Sequence, residues 1–134
     1  MTRVCFQLWI DPNRLDEYRS RHAAVWPEML RELEASGRRN YSLFLRPDGL
    51  LIGYYETDSA TASDSHLAQS RVAAIWEEYM ADLFVGQHGR ADQSATTLEE
   101  VFHLEDQLAE LDGSPPHAST TPALDDSDPN EGER

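Results

Sequence analysis

Two strand-like segments joined by a three-residue turn constrain the fold of this chain more than any other feature. Residues 39–46 (RNYSLFLR) and 50–56 (LLIGYYE) are rich in apolar and aromatic side chains, and Pro47-Asp48-Gly49 separates them. Proline presets a turn conformation and glycine tolerates positive φ, so this tripeptide is a strong turn signal. We therefore predict an antiparallel β-hairpin over residues 39–56, because so short a connection joins only antiparallel neighbours.

The segment before the hairpin has the periodicity of an amphipathic helix. Residues 3–10 alternate as a strand, and apolar positions then recur at spacings of three and four. These positions are Leu15, Tyr18, His22, Val25, Met29 and Leu33. Pro27 cannot donate an interior helical hydrogen bond, and its ring crowds the carbonyl group one turn earlier. We predict two helical pieces, 13–22 and 27–36, with a kink between them.

Residues 57–104 again have the pattern of helical structure followed by a strand. Residues 57–84 predict one or two helices, with a buried face formed by Ile75, Trp76, Tyr79, Met80 and Leu83. Residues 85–95 predict a polar loop, and residues 98–104 (LEEVFHL) predict a final strand. The order is β-α-β-β-α-β, the ferredoxin-like arrangement of an α+β fold. Two helices on one sheet face leave the other face bare, so we expect a homodimer that meets face to face or edge to edge.

Charge excludes one class of partner and divides the chain into two parts. The net charge is −14 and the chain has no lysine, so we expect no nucleic-acid partner. Residues 105–134 are acidic and rich in Pro, Ser and Thr, with too few apolar groups to offset their ordering entropy. We predict a folded domain over 1–104 and a disordered acidic tail over 105–134, in which Leu108 and Leu111 allow a short helical turn.

The chain shows no sign of secretion or of membrane insertion. The N-terminal apolar run is short and is followed at once by Asp11 and Pro12, which does not fit a signal peptide. No segment approaches the roughly 20 apolar residues of a membrane-spanning helix. We expect a cytoplasmic protein without a membrane partner.

The candidate chemistry centres on His22. The histidines are scattered and there is one cysteine, Cys5, so we expect no metal and no cofactor. His22 lies near the centre of the helical stripe, with Tyr18 one turn before it, Trp26 one turn after it and Tyr41 on the facing strand. Imidazole, phenols and indoles suit a monosaccharide, although the same residues also describe an ordinary core with a hydrogen-bonded histidine.

The local helix geometry bears on the protonation of His22. If the first helical piece ends near His22, the carbonyl end of the helix dipole favours imidazolium. Burial opposes the charged form. An imidazole balanced between these two effects would give and take a proton near neutral pH.

Four segments resemble the L-rhamnose mutarotase family in their order and spacing. They are EYRSRHAAVWPE (residues 17–28), NYSLFL (40–45), WEEYM (76–80) and LEEVFHL (98–104). The resemblance implies a small dimeric α/β barrel without metal or cofactor, which interconverts the α and β anomers of L-rhamnopyranose. It also implies His22 as the catalytic proton donor and Tyr18, Tyr41 and Trp76 as sugar-binding residues.

One position departs from the family pattern, and other functions stay open. Typical members have a second tryptophan where this chain has Glu77, so L-fucose or another deoxyhexose remains an alternative substrate. The same fold also hosts cofactor-free monooxygenases, and a non-catalytic sugar-binding dimer would fit it too. The polar lining of Tyr18, His22 and Tyr41 favours a sugar over an apolar aromatic ligand. Mutarotation needs only proton transfer and positioning, which these residues suffice to supply.

Overall fold

The structure is a computed structural model that describes residues 1–86 and 89–113. These residues form two units, Met1–Glu99 and the residues from Glu100 onward. The first unit contains β1 (Thr2–Trp9), α1 (Leu15–Ala23), α2 (Pro27–Ala35), β2 (Arg39–Leu45), β3 (Leu50–Thr57), α3 (Ala60–Ala68), α4 (Arg71–Met80), α5 (Ala91–Ser94) and β4 (Thr96–Leu98). The second contains α6 (Leu104–Leu111). The predicted α+β, ferredoxin-like class is confirmed.

The four strands form one antiparallel sheet in the order β2-β3-β1-β4. The predicted hairpin is present, and its turn closes where the Gly49 N–H donates to the Arg46 carbonyl over 2.9 Å. Gly49 has φ of 99°, and a Cβ atom there would overlap the backbone carbonyl of Ile10. Only glycine therefore suits this position, since it must adopt positive φ directly against another backbone.

Alternation along the strands gives the sheet one face that the helices of the first unit cover and one that no described element of this unit covers. Leu8 is buried in the core beside the helices, and its register partner is the buried Leu51. The neighbouring pair is Phe6 and Gly53, where a Cβ atom on Gly53 would overlap the Phe6 ring. The ring therefore occupies the space that the absent side chain leaves. On the opposite face Phe44 is 63% exposed.

The chain breaks between α1 and α2 as predicted. Pro27 is the first residue of α2, and Trp26 before it has extended backbone angles. The Trp26 carbonyl accepts the first two amide bonds of α2, from Met29 over 2.9 Å and from Leu30 over 3.0 Å. Pro27 thus occupies the first position of a helix, where the backbone N–H makes no helical hydrogen bond, so its absence in proline costs none.

Residues 57–84 form two helices, each of which begins at a serine. The Ser59 hydroxyl accepts from the Ala62 N–H over 3.1 Å, and the Ser70 hydroxyl accepts from the Ala73 N–H over 3.0 Å. These are N-cap bonds, which satisfy amides at the start of each helix.

The predicted buried face of the second helix is partly wrong. Trp76, Met80 and Leu83 are buried, but Ile75 is 49% exposed and Tyr79 is 44% exposed. The buried residues follow each other at spacings of four and three. Ile75 and Tyr79 each precede one of them by a single residue, which turns a side chain about 100° around a helix.

The prediction for the region after α4 needs two corrections. The expected polar loop over 85–95 contains the one-turn helix α5, and residues 87–88 lie outside the described residues. The final strand is not at 98–104, because β4 pairs with β1 from Thr96↔Gln7 to Leu98↔Cys5 and ends there. A longer strand would place Glu99 opposite Val4 on the covered face of the sheet, where a carboxylate is costly to bury.

The segment expected to begin the disordered tail contains a helix. In α6, Leu104, Leu108 and Leu111 recur at spacings of four and three, and acidic residues in the first turn favour a helix N-terminus. The rest of the predicted tail from residue 114 lies outside the described residues, so the division into 1–104 and 105–134 stays a prediction. Within the described ranges no helix has the length and apolar character needed to cross a membrane.

Candidate active site

A cleft lies between the helices and the covered face of the sheet. It comprises a larger cavity of about 910 Å³ and a deeper one of about 270 Å³. Both are lined by His22, Arg38, Tyr41, Trp76, Glu77 and Asp92. The deeper cavity lies near the lower end of the size range of ligand sites, which suits a small molecule. Three of the four predicted site residues line both cavities, and the fourth, Tyr18, lines the deeper one.

The imidazole of His22 is packed between two aromatic rings. Its centroid lies 4.3 Å from that of Tyr18, with the planes tilted by 30°. It lies 5.6 Å from the Trp76 centroid in an edge-on arrangement. Tyr18 comes one turn earlier on α1, whereas Trp76 comes from α4, so the two helices fix the ring from both sides. Such packing holds an imidazole in one orientation while leaving one edge in the cleft.

The hydrogen bond at His22 determines its tautomer. Nδ1 lies 3.3 Å from the Tyr18 carbonyl oxygen, which only accepts, so the proton of the neutral ring lies on Nδ1 and Nε2 is bare. Burial lowers the pKa of His22, and the Tyr18 carbonyl bond opposes this less strongly. Helix α1 does end directly after His22, at Ala23, but burial prevails over the favourable effects of carbonyl groups nearby.

The two phenols remain protonated and available for hydrogen bonding. Burial, first of all, raises the pKa of Tyr18 far above its usual range and that of Tyr41 to about 12. The Tyr41 ring lies 5.4 Å from Tyr55 and 6.3 Å from Phe6. A phenol that keeps its proton both donates to and accepts from a ligand hydroxyl.

Tryptophan 76 provides the indole surface of the cleft. It is only 6% exposed, and its ring contacts His22 on one side and Trp26 at 4.9 Å on another. Trp26 lies behind it and packs against Tyr79 at 5.3 Å. Trp9 lines a separate small cavity at the end of β1. Of the three tryptophans, Trp76 is thus the one whose ring lines both parts of the cleft.

A buried arginine that the sequence interpretation missed lies beside Tyr41. The Arg38 side chain is 4% exposed and donates to Ser63 Oγ over 2.9 Å and to Asp64 Oδ1 over 2.7 Å. Its guanidinium lies 4.0 Å from the Tyr55 ring centroid and 5.7 Å from that of Tyr41. It therefore supplies positive charge to one wall of the cleft. An arginine next to Gly37 between a helix and a strand has no pattern that distinguishes it from a surface residue.

Glu77 lies in the cleft and is held by the α5 turn. Its Oε1 accepts from the Asp92 backbone N–H over 3.2 Å. Arg90 donates to both Asp92 carboxylate oxygens, over 3.0 and 2.7 Å, and to the Leu67 carbonyl over 3.0 Å. The Arg90 guanidinium is therefore bound to Asp92 and does not pair directly with Glu77. Burial, first of all, and the nearby Asp92 charge raise the pKa of Glu77 to about 7. Glu77 thus exchanges a proton near neutral pH.

The residues of the cleft do not suggest a metal centre. Among residues 1–86 and 89–113, no three His, Cys, Asp or Glu side chains lie together as metal ligands would. The cleft instead combines an imidazole, carboxyl groups, a guanidinium, two phenols and an indole. These groups transfer protons and bind hydroxyls.

The chain is thus a small ferredoxin-like protein whose cleft holds groups able to transfer protons and to bind hydroxyls. A family model described as L-rhamnose mutarotase matches residues 3–104, and the chain belongs to this family. An L-rhamnose mutarotase from Burkholderia cenocepacia is 38% identical over 106 residues, which cover 78% of this chain and 100% of that protein.

Two examples illustrate the solved structures that this fold resembles. That of an L-rhamnose mutarotase from Formosa agariphila is 25% identical, with a TM-score of 0.63, over 77% of this chain and 98% of the other. Tetracenomycin F2 cyclase from Streptomyces glaucescens, a polyketide cyclase, is 19% identical, with a TM-score of 0.51, over 77% of this chain and 96% of the other. The second similarity concerns the fold alone, and it illustrates that this fold carries different chemistries.

Proposed function

We propose that this protein interconverts the α and β anomers of L-rhamnopyranose by opening and reclosing the sugar ring. Membership of the L-rhamnose mutarotase family supports this reaction, as do relatives of that name. The observation that carries the proposal is the position of His22, whose ring is fixed between Tyr18 and Trp76 at the edge of a cleft. An oriented proton-transfer group beside hydrogen-bonding phenols is what the reaction requires.

Each predicted residue has a role that its surroundings support. His22 transfers protons between the enzyme and the sugar. The phenols of Tyr18 and Tyr41 bind sugar hydroxyls, because both keep their protons at neutral pH. The Trp76 indole packs against the apolar C–H face of the pyranose, an arrangement for which a large rigid ring is suited.

The chemistry is balanced without a cofactor. The ring oxygen gains a proton as the bond from that oxygen to C1 breaks. The anomeric hydroxyl loses its proton, and its oxygen forms the C1 carbonyl of an open-chain aldehyde. Rotation about the C1–C2 bond presents the other carbonyl face. The reverse proton transfers then close the ring as the opposite anomer. Only proton transfer and positioning are needed, and general acid–base groups accelerate such steps by about 10²–10⁴-fold.

The polar lining ranks the remaining alternatives. A mutarotase for L-fucose or another deoxyhexose would use the same groups, and Glu77 is the residue most able to change the preferred sugar. A monooxygenase-like protein would require a more apolar cleft than one with Arg38, Glu77 and Asp92 in its walls. A sugar-binding dimer would bind the sugar without accelerating anomer exchange, so kinetics separate it from an enzyme.

The first test compares anomer exchange by wild-type protein and by His22→Asn. Saturation-difference NMR measures the exchange rate of L-rhamnose and of L-fucose above the uncatalysed rate. We expect wild type to accelerate exchange of L-rhamnose more than L-fucose, and His22→Asn to lose about 10²-fold or more, because asparagine transfers no proton. The control is His66→Asn, since His66 is paired with Glu32 outside both cavities.

The outcomes distinguish the proposals. A His22→Asn variant that keeps the wild-type rate contradicts the role of His22. Wild-type protein that binds either sugar without accelerating exchange contradicts the mutarotase proposal and supports the sugar-binding alternative.

We propose further that the protein acts as a cytoplasmic homodimer, and the exposed Phe44 face of the sheet supports a second copy.

A further inference from the structure

We propose that Glu77 is a second catalytic residue of this site, which protonates the sugar ring oxygen while His22 accepts the proton of the anomeric hydroxyl. This inference rests on the proposed function and assigns the proton transfers within it. It differs from the family resemblance, which implies His22 as the proton donor and a tryptophan at position 77.

The hydrogen bond from His22 to the Tyr18 carbonyl group means that neutral His22 cannot supply the proton that ring opening needs. In the neutral ring the only proton is on Nδ1, and it is directed to the Tyr18 carbonyl over 3.3 Å. Nε2 then accepts a proton but has none to give. Burial lowers the pKa of the ring, so the neutral form dominates at pH 7. Ring opening still needs an acid, and another group must supply it.

Glu77 is placed to be that acid. It follows Trp76 on α4, and Trp76 packs edge-on against the His22 ring. Glu77 lines both cavities together with His22. The Asp92 N–H fixes one carboxyl oxygen over 3.2 Å. A backbone hydrogen bond at Ala91 also acts on this carboxyl group. A carboxyl group held by the α5 backbone has a defined direction, which positions its proton for transfer.

The charges around the cleft favour a protonated carboxyl group. The titratable and charged groups that line the deeper cavity with Glu77 are Tyr18 and His22 of α1, Arg38 before β2, Tyr41 of β2, Asp64 of α3 and Asp92 of α5. The larger cavity adds Arg31 and Glu34 of α2 and Arg39 of β2. Asp92 opposes a second negative charge, whereas the cation that would neutralise Glu77 most directly, Arg90, is bound to Asp92. Burial is the larger effect, and with Asp92 it raises the pKa of Glu77 to about 7.

The proposed steps balance in both directions. The Glu77 carboxyl group gives its proton to the ring oxygen as the bond from that oxygen to C1 breaks. The anomeric hydroxyl gives its proton to His22 Nε2, and its oxygen forms the C1 carbonyl. After rotation, the hydroxyl that was the ring oxygen attacks C1 and returns its proton to the Glu77 carboxylate. The imidazolium of His22 then protonates the new anomeric oxygen, which restores both groups.

This assignment predicts a bell-shaped pH profile. The reactive enzyme has neutral His22 and protonated Glu77. Below the lowered pKa of His22 the ring is already protonated and cannot accept. Above the Glu77 pKa of about 7 the carboxyl group has no proton to give. The rate therefore falls on both sides, with the alkaline limb belonging to Glu77 and the acid limb to His22.

The experiment compares Glu77→Gln with the matched variant Glu78→Gln across pH 5–9. Glutamine keeps the shape and the acceptor oxygen for the Asp92 N–H but carries no transferable proton. We expect Glu77→Gln to lose about 10²-fold in the L-rhamnose exchange rate and to lose the alkaline limb near pH 7. Glu78 is the next residue of α4 and is exposed, so Glu78→Gln should keep the wild-type rate and both limbs.

A titration of wild-type protein tests the assignment without any variant. The ¹³C NMR titration of the Glu77 carboxyl carbon should have its midpoint at the alkaline limb of the rate profile. A midpoint more than one pH unit from that limb overturns the inference. So does a folded Glu77→Gln variant with the wild-type rate and pH profile.

The failure of this inference is distinguishable from failure of the proposed function. Wild-type protein that does not accelerate exchange at any pH overturns the proposed function and this inference together. Active wild-type protein with an equally active Glu77→Gln variant overturns this inference alone.

Discussion

At the scale of single residues, the cleft depends on the buried guanidinium of Arg38. It is bound by Ser63, whose side chain is fully buried, and by Asp64, whose side chain is 53% exposed. The guanidinium also covers the Tyr55 ring at 4.0 Å. A charge with so little access to water is stable only while these partners stay in place. Arg38 thereby links the end of α2, the start of α3 and the sheet beside Tyr41.

The variant Arg38→Met tests this role. Methionine fills much of the volume but leaves Ser63 and Asp64 without their donor, so we expect a loss of about 1–3 kcal/mol in the free energy of unfolding. The matched variant is Arg39→Met, whose side chain is 50% exposed and pairs with the exposed Asp58. An exposed pair of this kind contributes about 0.2–1 kcal/mol. Equal losses in urea denaturation would show that Arg38 is an ordinary surface ion pair.

At the scale of elements, two irregular backbone segments determine which side chains line the cleft. The break between α1 and α2 ends the first helix just after His22 and starts the second at Pro27. The second feature is at the start of β2, where the pairing with β3 shifts register between Arg39 and Ser42 and Asn40 has φ of 55°. An irregularity of this kind changes the direction of neighbouring side chains. It lies directly beside Tyr41, which with Leu43 of the same strand lines both cavities.

The hairpin turn offers a test at the same scale. In the variant Gly49→Ala, alanine would have to adopt positive φ, and its Cβ atom would overlap the Ile10 carbonyl group. We therefore expect a loss of about 3 kcal/mol in the free energy of unfolding. Gly37→Ala is the matched control, because Gly37 has a similar φ of 94° but its nearest neighbour, Thr57 Oγ1, is 3.5 Å from the added Cβ. We expect about 1 kcal/mol there. Equal losses in chemical denaturation would remove the steric argument at Gly49.

At the scale of the whole molecule, the sheet has an apolar face that no element of the first unit covers. Alternation places Phe44 on this face, opposite Leu43 and Leu45, and its register partner on β3 is Ile52. Phe44 is 63% exposed in the single chain. A second copy that packs on this face would bury these side chains, which is the physical basis for the proposed homodimer.

The variant Phe44→Glu tests the dimer. A carboxylate at the centre of an apolar interface is costly to bury, so we expect the dissociation constant of the dimer to rise at least about tenfold, or 1.4 kcal/mol. Sedimentation velocity over a range of protein concentrations measures the change. The control is Ile75→Glu, since Ile75 is 49% exposed on α4. A wild-type protein that sediments as a monomer, or two variants with the same effect, would contradict this interface.

Local sequence signals predicted most of the fold. Pro47-Asp48-Gly49, Pro27 and the alternation in β1 each act on their own residues and neighbours, so the hairpin, the helix break and the strand were predicted. The end of the chain was less predictable. The apolar residues of 98–104 fit a strand. Whether β4 continues depends on which of its residues the pairing with β1 turns to the covered face, and that residue would be Glu99. Local alternation does not contain this information.

The candidate site was predictable only in part. His22, Tyr18, Tyr41 and Trp76 were found because they lie on faces that periodicity and the family resemblance identify, and the structure brings all four to one cleft. Their catalytic and binding roles stay predictions. Arg38, Arg90 and Asp92 were missed because their importance comes from burial and from partners far along the chain. Glu77 was noticed as a departure, but only its surroundings reveal its raised pKa.

The contact between Phe6 and Gly53 has a consequence for how this family member tolerates variation. The Phe6 ring lies across Gly53 on the neighbouring strand and lines the deeper cavity. A side chain gained at position 53 would push that ring into the space for the ligand, unless position 6 became smaller at the same time. A variant with a side chain at position 53 would therefore need a smaller residue at position 6, and the combination of the two residues sets the shape of the ligand space.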